Sequence, residues 1–557
     1  MTSPPNHLQQ LNGNSGMGMK NKKRLYKILG IAAACIALII FFLWRYADSM
    51  VTKFADTKLQ ELSANSDSFK FSYSKLDISF VKGTIKLSDV TFSKDSISAS
   101  AKRVMCGGLH PLKAWRSRKL LLDYVRADGV KLRACLIEKA KSDSLSVDSV
   151  SSSRGGLQKY LDTIGISKAI INGEEISVKR LKDSLKIELG KINAKAFGLG
   201  YSVASSKISF CDSLYDLTLK GVAFTNSNGL YAINLDTLST RNSGSVSIKN
   251  FHGRNTVAKK ELSSRKGNVP VTWTNLKIKE LHTSNVNLIR VIQEKKIEID
   301  SVFITGDQVN TFRDSRHYPK VPFKMPQESL ASISIPIHVG GVKLTMPYFK
   351  MEVMPMSGSG GVGAFNFHDV DATISNITNK VDSTIKVHMR PRLGKGKGDL
   401  HLNLTLDKNS TFTAKAVINN INGSDLETFL HPVFGVKMAV NISKLNTSLK
   451  GNKNSIGGSF CMQYTGLQVK IDKDKAPKKL EGKAGLINTF SGAAIFKENP
   501  RENQSEPYTC TISVKRNPMK NYGSYMVSAM LDGVEKTVLR KLALKEVSKM
   551  SAKGKKN

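Results

Sequence analysis

Lys75–Ser93 reads KLDISFVKGTIKLSDVTFS, and its alternation decides the fold. Leu76, Ile78 and Phe80 alternate with polar residues, and Gly83 marks a turn. Ile85 and Leu87 follow, then Val90 and Phe92. A period of two places the apolar set on one face of a strand and the polar set on the other. The texture continues through Ile97, Ala99 and Ala101, then Leu120, Leu122 and Tyr124, and after Gly129 through Val130 and Leu132. It resumes beyond a Ser-rich stretch, 141–156, and recurs in most of the chain as far as 508–516 and 523–528. Helical spacing is rare. It is expected at Leu109–Trp115, in part of Leu288–Gln293, at Ser424–Pro432 with Ser424 as cap and Glu427 at the capping-box position, and in a basic amphipathic tail over Asp532–Met550. The stretch 311–330, with Pro319, Pro322 and Pro326, reads as an extended crossing segment.

The fold class expected is therefore mainly β: an elongated, twisted antiparallel sheet with few short helices. A sheet with one apolar face must close, pack on a partner or shelter something apolar. A packed sandwich and an open groove for acyl chains both satisfy that requirement.

A second stretch sets the topology. Ile28–Trp44, ILGIAAACIALIIFFLW, is 17 residues without a charge. Its bulk comes from Ile28, Leu29, Ile31, Ile36, Leu38, Ile39, Ile40, Phe41, Phe42, Leu43 and Trp44. This is near the lower limit for a helix that spans a bilayer, and Trp44 and Tyr46 suit the interface. A cleaved signal peptide is the rival reading, but RYADSM follows without a small-residue cleavage site. Lys20, Lys22, Lys23, Arg24 and Lys27 precede the segment. The positive-inside rule then keeps the N-terminus cytoplasmic and exports the rest.

Lys and Arg number 84 against 45 Asp and Glu, a formal charge of +39. The charge is spread along the chain rather than clustered. With the basic body on the far side of the anchor, nucleic acid is excluded as a partner. Solubility and attraction to anionic headgroups remain. The six cysteines contain no C-x-x-C and read as small buried hydrophobes. GSGGVG at Gly358–Gly363 lacks the strand–helix context of a dinucleotide loop. RLGKGKGD at Arg392–Asp399 lacks the Walker spacing and reads as a basic turn. No catalytic constellation stands out, so no enzyme activity, metal or cofactor is expected.

Two regions carry a resemblance. Leu76–Leu136 runs strand, Gly turn, strand, then LHPLKAW, then DYVRADGVKLR. The second region runs through GGSFCMQYTGLQVKI, LINTFSGAAIFKENPR, CTISVKRNP and GSYMVSAMLDGVEKTVL, where Tyr464, Leu467, Asn488, Asn499, Pro500, Arg516 and Gly533 hold the characteristic places. Together they resemble the opening and closing modules of AsmA-like envelope proteins related to bridge-like lipid transfer proteins, of a kind found in Bacteroidota. The resemblance implies a single-pass inner-membrane anchor, a periplasmic β-groove, and a role in lipid transport or outer-membrane homeostasis. Its partners would be membrane phospholipid and, in the alternative of a non-enzymatic assembly scaffold, other envelope proteins. The organisation expected is a disordered tail (1–24), the anchor (25–48), an opening module (49–140), the Ser-rich linker (141–156), a groove body (157–410), a closing module (411–540) and a basic tail (541–557). Leu76, Ile78, Phe80, Ile85, Leu87, Leu120, Leu122, Val130 and Leu132 would line the groove near the membrane.

Overall fold

The computed structural model describes residues 57, 70–79, 83–108, 117–136, 162–202, 207–209, 215–241, 244–264, 272–286, 291, 294–316, 321–355, 361–475 and 495–539. The anchor segment lies outside them. Among the described residues no helix is long and apolar enough to cross a membrane. The chain is mainly β, a mixed sheet with few helices. It divides into two compact units, Met1–Lys182 with Lys186–Leu219, and Asp183–Leu185 with Lys220–Asn557.

The first unit contains β1 (Lys70–Ser72), β2 (Lys75–Ser79), β3 (Thr84–Lys94), β4 (Ile97–Gly107), β5 (Lys119–Leu136), β6 (Thr163–Arg180), β7 (Lys186–Ser202) and β8 (Lys207–Ser209). β9 (Tyr215–Thr225) contains the division point. The alternation of Lys75–Ser93 becomes the β2–β3 hairpin, with Leu76 opposite Leu87 and Ile78 opposite Ile85. Leu76, Ile85, Leu87, Val104, Cys106, Leu120, Leu122 and Ile164 then pack into one buried cluster.

In the second unit lie β10 (Tyr231–Arg241), β11 (Ser245–Asn255), β12 (Trp273–Ser284), β13 (Ile297–Asp314), β14 (Ile337–Met354), β15 (Gly363–Thr378) and β16 (Thr384–Leu393). They are followed by β17 (Gly396–Thr405), β18 (Phe412–Asn422), β19 (Val436–Gly451), β20 (Ser455–Ile471) and β21 (Thr509–Lys515). Four helices are interspersed: α1 (Lys259–Ser264), α2 (Pro326–Ala331), α3 (Gly423–Phe434) and α4 (Tyr522–Val538).

The purely antiparallel expectation is corrected at two joins. β5 pairs with β6 in parallel, Lys119 beside Thr163 and Leu136 beside Arg180. β13 pairs with β14 in parallel, Ile297 beside Ile337 and Asp314 beside Met354. Parallel neighbours need a crossover of a dozen residues or more, because the chain must return the length of the strand. Residues 137–162 and 315–336 are long enough, so the Ser-rich stretch belongs to a crossover, although that stretch lies outside the described residues. The Pro-rich segment is a crossing segment with a different make-up. Residues 311–314 complete β13, and Pro326 opens α2 at a position where its missing N–H costs nothing. The buried Gln327 then donates from Nε2 to the carbonyls of Ser410 (3.2 Å) and Thr411 (3.1 Å).

Two helical boundaries also differ. α3 begins at Gly423, with Asn422 as its cap, and Asp425 Oδ2 accepts from the Asn422 N–H at 3.0 Å. The box is therefore two residues earlier than Ser424 and Glu427. Residues 523–528, expected as a strand, open α4, and Asn521 caps it by accepting from the Ser524 N–H at 2.8 Å. The buried Tyr525, Ala529, Gly533 and Thr537 recur every four residues, a helical stripe whose first half also scans as alternation. Leu109–Trp115, most of Leu288–Gln293 and the tail beyond Leu539 lie outside the described residues.

α4 seals the second unit's core. Phe460, Tyr464, Ile512, Tyr525 and Ala529 pack there at 0–2 % exposure. A Cβ at Gly533 would stand 2.5 Å from Phe460 Cγ, so only glycine lets the helix sit this close. Asn499 is buried and ties its own segment to β20 and to the residue before β21. Its Nδ2 donates to Met462 O (2.7 Å) and Tyr508 O (3.1 Å), and its Oδ1 accepts from Tyr508 N–H (2.7 Å). The described cysteines are free thiols, with Cys106 and Cys510 buried.

Gly533→Val is expected to destabilise the chain by about 1–3 kcal/mol, read as a lower urea midpoint, since overpacking forces helix and sheet apart. Burial also pushes the Tyr464 hydroxyl up to about 12. In the unfolded chain a tyrosine ionises near 10. The native state then holds a proton that the unfolded state has lost, so stability is full below about pH 10 and falls as pH rises toward 12. Tyr464→Phe should flatten that alkaline decline in a pH series of urea melts.

Candidate functional site

Sheet register in the second unit assembles what no single strand contains. Leu238, Ile248, Leu281, Ile304, Leu344, Ala372, Met389, Leu400 and Ala416 stand directly opposite one another from β10 to β18. A parallel row joins Val246, Thr283, Val302, Val342, Ile374, Val387, Leu402, Ala414 and Leu449. Directly opposed residues share a face. Apart from Thr283, the two rows make a continuous apolar band across ten strands, β10–β19.

Burial varies along the band. At the β19 end Leu449 is 3 % exposed within the core that α4 covers. Leu402 and Ala414 pack against the edge of that core. Further along, Ile248, Leu281, Val302, Ile304, Val342, Leu344, Ile374 and Val387 are only partly buried. The helices cover only parts of the sheet: α1 touches β13, α3 packs on β15, β18 and β19, and α4 on β20 and β21. The α3 contact is aromatic, with Phe429 stacked on Phe365 at 4.0 Å between centroids.

The opposite face is polar apart from the exposed Phe303. His282, Phe303, Lys343, Thr373, His388, His401, Lys415 and Ser448 form the equivalent row there. One rim carries a basic excess as well. The strand ends and turns at that rim hold Lys295, Lys296, Lys380, Lys408 and Lys453 against Glu294, Asp382 and Asp407.

The residues expected to line a groove are placed differently. Leu76, Ile85, Leu87, Leu120 and Leu122 come together at 2–9 % exposure in the packed cluster of the first unit. Ile78 and Val130 pack against its margin. Leu132 is partly buried and stands between Ala99 and Ile176, while Phe80 lies outside the described residues. The partly exposed apolar band lies instead on β10–β18. Alternation was visible in each of those strands, but sequence reading did not single them out. One reason is a change of parity. Apolar positions move from even to odd numbers at Asn250 and from odd to even at Asp369, where φ is +51° and +46°. A left-handed residue within a strand re-aims the side chains that follow it. Asn and Asp tolerate that conformation, and this was the available signal.

The quoted glycine motifs are structural. Gly394 and Lys395 form the two-residue turn of the β16–β17 hairpin, with Gly394 at φ +57°. Gly363 opens β15 against α3, where a Cβ would stand 2.4 Å from Val433. No protein-family model matches the chain, and no curated protein matches it in sequence.

The band and the core should respond differently to truncation. Phe460→Ala is expected to cost about 3–5 kcal/mol, as for a buried aromatic. Ile304→Ala, on the partly exposed band, should cost about 1 kcal/mol or less. Urea melts of the two variants measure the difference.

Proposed function

We propose that this is a membrane-anchored envelope protein that binds lipid, its acyl chains lying on the apolar band of β10–β18. The observation that carries the reading is the band itself: two rows, apolar but for Thr283, that leave a helix-covered core reaching β17 and β18 and continue, largely partly exposed, across β10–β16, which among the described residues add nothing to either core cluster. An apolar surface of that extent is a binding surface by default. Branched and straight aliphatic side chains suit acyl chains, which need no hydrogen-bond partner. The basic rim supplies the complement for anionic headgroups.

Sequence features outside the described residues support the same reading. Ile28–Trp44 has the length and flanking charge of an anchor with a cytoplasmic N-terminus. The resemblance to AsmA-like proteins adds an inner-membrane location and a periplasmic groove that conducts lipid toward the outer membrane. Nothing in this reading requires a catalytic residue.

The test is mass spectrometry of lipid that co-purifies with the full chain extracted in detergent, beside a variant with Leu281→Asp and Leu344→Asp. Phospholipid on the parent chain and its loss from a still-folded variant is the expected result. Parent chain without phospholipid, or equal lipid on both, overturns the reading. A dominant protein partner captured by in-cell crosslinking of lipid-free chain would favour the assembly-scaffold alternative.

A further inference from the structure

On the polar face of the same sheet, β16 and β17 bring three metal-ligating side chains to one point. His388 of β16 stands directly opposite His401 of β17. Asp399 precedes His401 by two residues and so projects from the same face. Both imidazoles aim Nε2 at one carboxylate oxygen. His388 Nε2 lies 2.6 Å from Asp399 Oδ1, and His401 Nε2 lies 3.4 Å from it. The rings stack with centroids 4.2 Å apart and 10° between planes. One ligand atom from each residue lies within 4.8 Å of the other two.

We propose that His388, Asp399 and His401 form a site for a divalent first-row transition ion of the zinc type. Zinc sits about 2.0–2.2 Å from imidazole nitrogen and carboxylate oxygen, so tetrahedral ligands are about 3.4 Å from one another. The three donor atoms already span that scale, and movements of under about 1 Å in exposed side chains bring them to it. Thr384–Met389 pair without a break with Leu400–Thr405, which fixes both histidine backbones, and Asp399, next in the chain to that run, is held from its other side opposite Val417 of β18. Three protein ligands leave a fourth position for water or an exogenous donor. The hollow lined by Lys343, Thr373, His388 and Arg390 leaves that side of the site open.

Neighbouring charge narrows the choice of ion. Lys386 and Arg390 flank His388 along the strand, and Lys415 stands opposite His401. Asp371, opposite Arg390, and Lys343 line the same hollow, and two carboxylates among four cations still make a poor site for calcium or magnesium, which need several oxygen ligands. Imidazole donors instead suit zinc, nickel, copper and cobalt. The arrangement is independent of the apolar band, which uses the other face of the same strands.

The experiment is a zinc titration of the untagged full chain in detergent, competed against a chromophoric chelator, with cobalt absorption as a second readout. One zinc per chain is expected, together with the intense visible bands of tetrahedral cobalt. The double variant His388→Ala with His401→Ala, and separately Asp399→Asn, should each weaken zinc by about tenfold or more, the loss that even outer-shell partners cause. His282→Ala, an exposed histidine of the same polar row, should leave affinity unchanged. Equal affinity in parent chain and double variant, or no zinc retained by the parent, overturns the proposal. Circular dichroism on each variant secures the comparison, because these side chains lie at the surface and carry no core packing.

Discussion

Everything in this protein depends on one constraint: a β-sheet with an apolar face cannot leave that face bare to water. Burial of apolar surface is worth about 25 cal/mol per Å², so a band made mostly of Val, Leu, Ile and Ala across ten strands is a large driving force wherever it is covered. The second unit meets the constraint in two ways. At β19–β21 a helix with glycine and alanine on its contact side lies directly on the sheet, and Phe460 and Tyr464 disappear beneath it. At β10–β17 the same face continues with most of its aliphatic side chains only partly buried, although Met346, Val370, Ala372 and Ile385 are buried there.

The covered end explains why so many specific residues gather there. Asn499, Tyr464, Leu467, Arg516 and Gly533, the residues that carry the resemblance to a closing module, are fastenings rather than chemistry. Tyr464 donates its hydroxyl to Phe496 O at 3.0 Å, and Arg501 lies over Phe496 and Tyr508 at 3.8 and 4.1 Å. Arg516 donates to the carbonyls of Lys453 and Phe323, which ties the last strand to a turn and to the second crossover. The Asn499, Tyr464 and Arg516 side chains satisfy backbone groups, and a buried group left unpaired costs about 1–3 kcal/mol, while Leu467 and Gly533 act through packing. Such residues mark where the sheet is closed off.

The two faces of β16 and β17 show how one ladder can serve two unrelated chemistries. Val387, Met389, Leu400 and Leu402 point to the apolar side. His388, His401 and Asp399 project from the other. Because side chains alternate strictly in an unbroken ladder, a residue on one face can change without touching the other. A polar row and an apolar row therefore evolve separately on the same backbone.

Reading the residues alone established the class of the fold, since alternation in Lys75–Ser93 is a local property of consecutive side chains. It also located the basic turn at Gly394–Lys395, the need for a crossing segment at the prolines, and a helix near Ser424. Each of these depends on neighbours within a few positions. Pairing between distant strands was not legible, because register is decided by the summed fit of whole strands and not by any one of them. Parallel joins at β5–β6 and β13–β14, the helix over 522–538, and the meeting of His388 with His401 all follow from that fit. So does the difference between Leu87, which ends in a closed core, and Leu281, which has the same alternating surroundings and ends on a partly open face. Alternation says which side of a strand is apolar; only the neighbours brought in by tertiary structure decide how completely that side is covered.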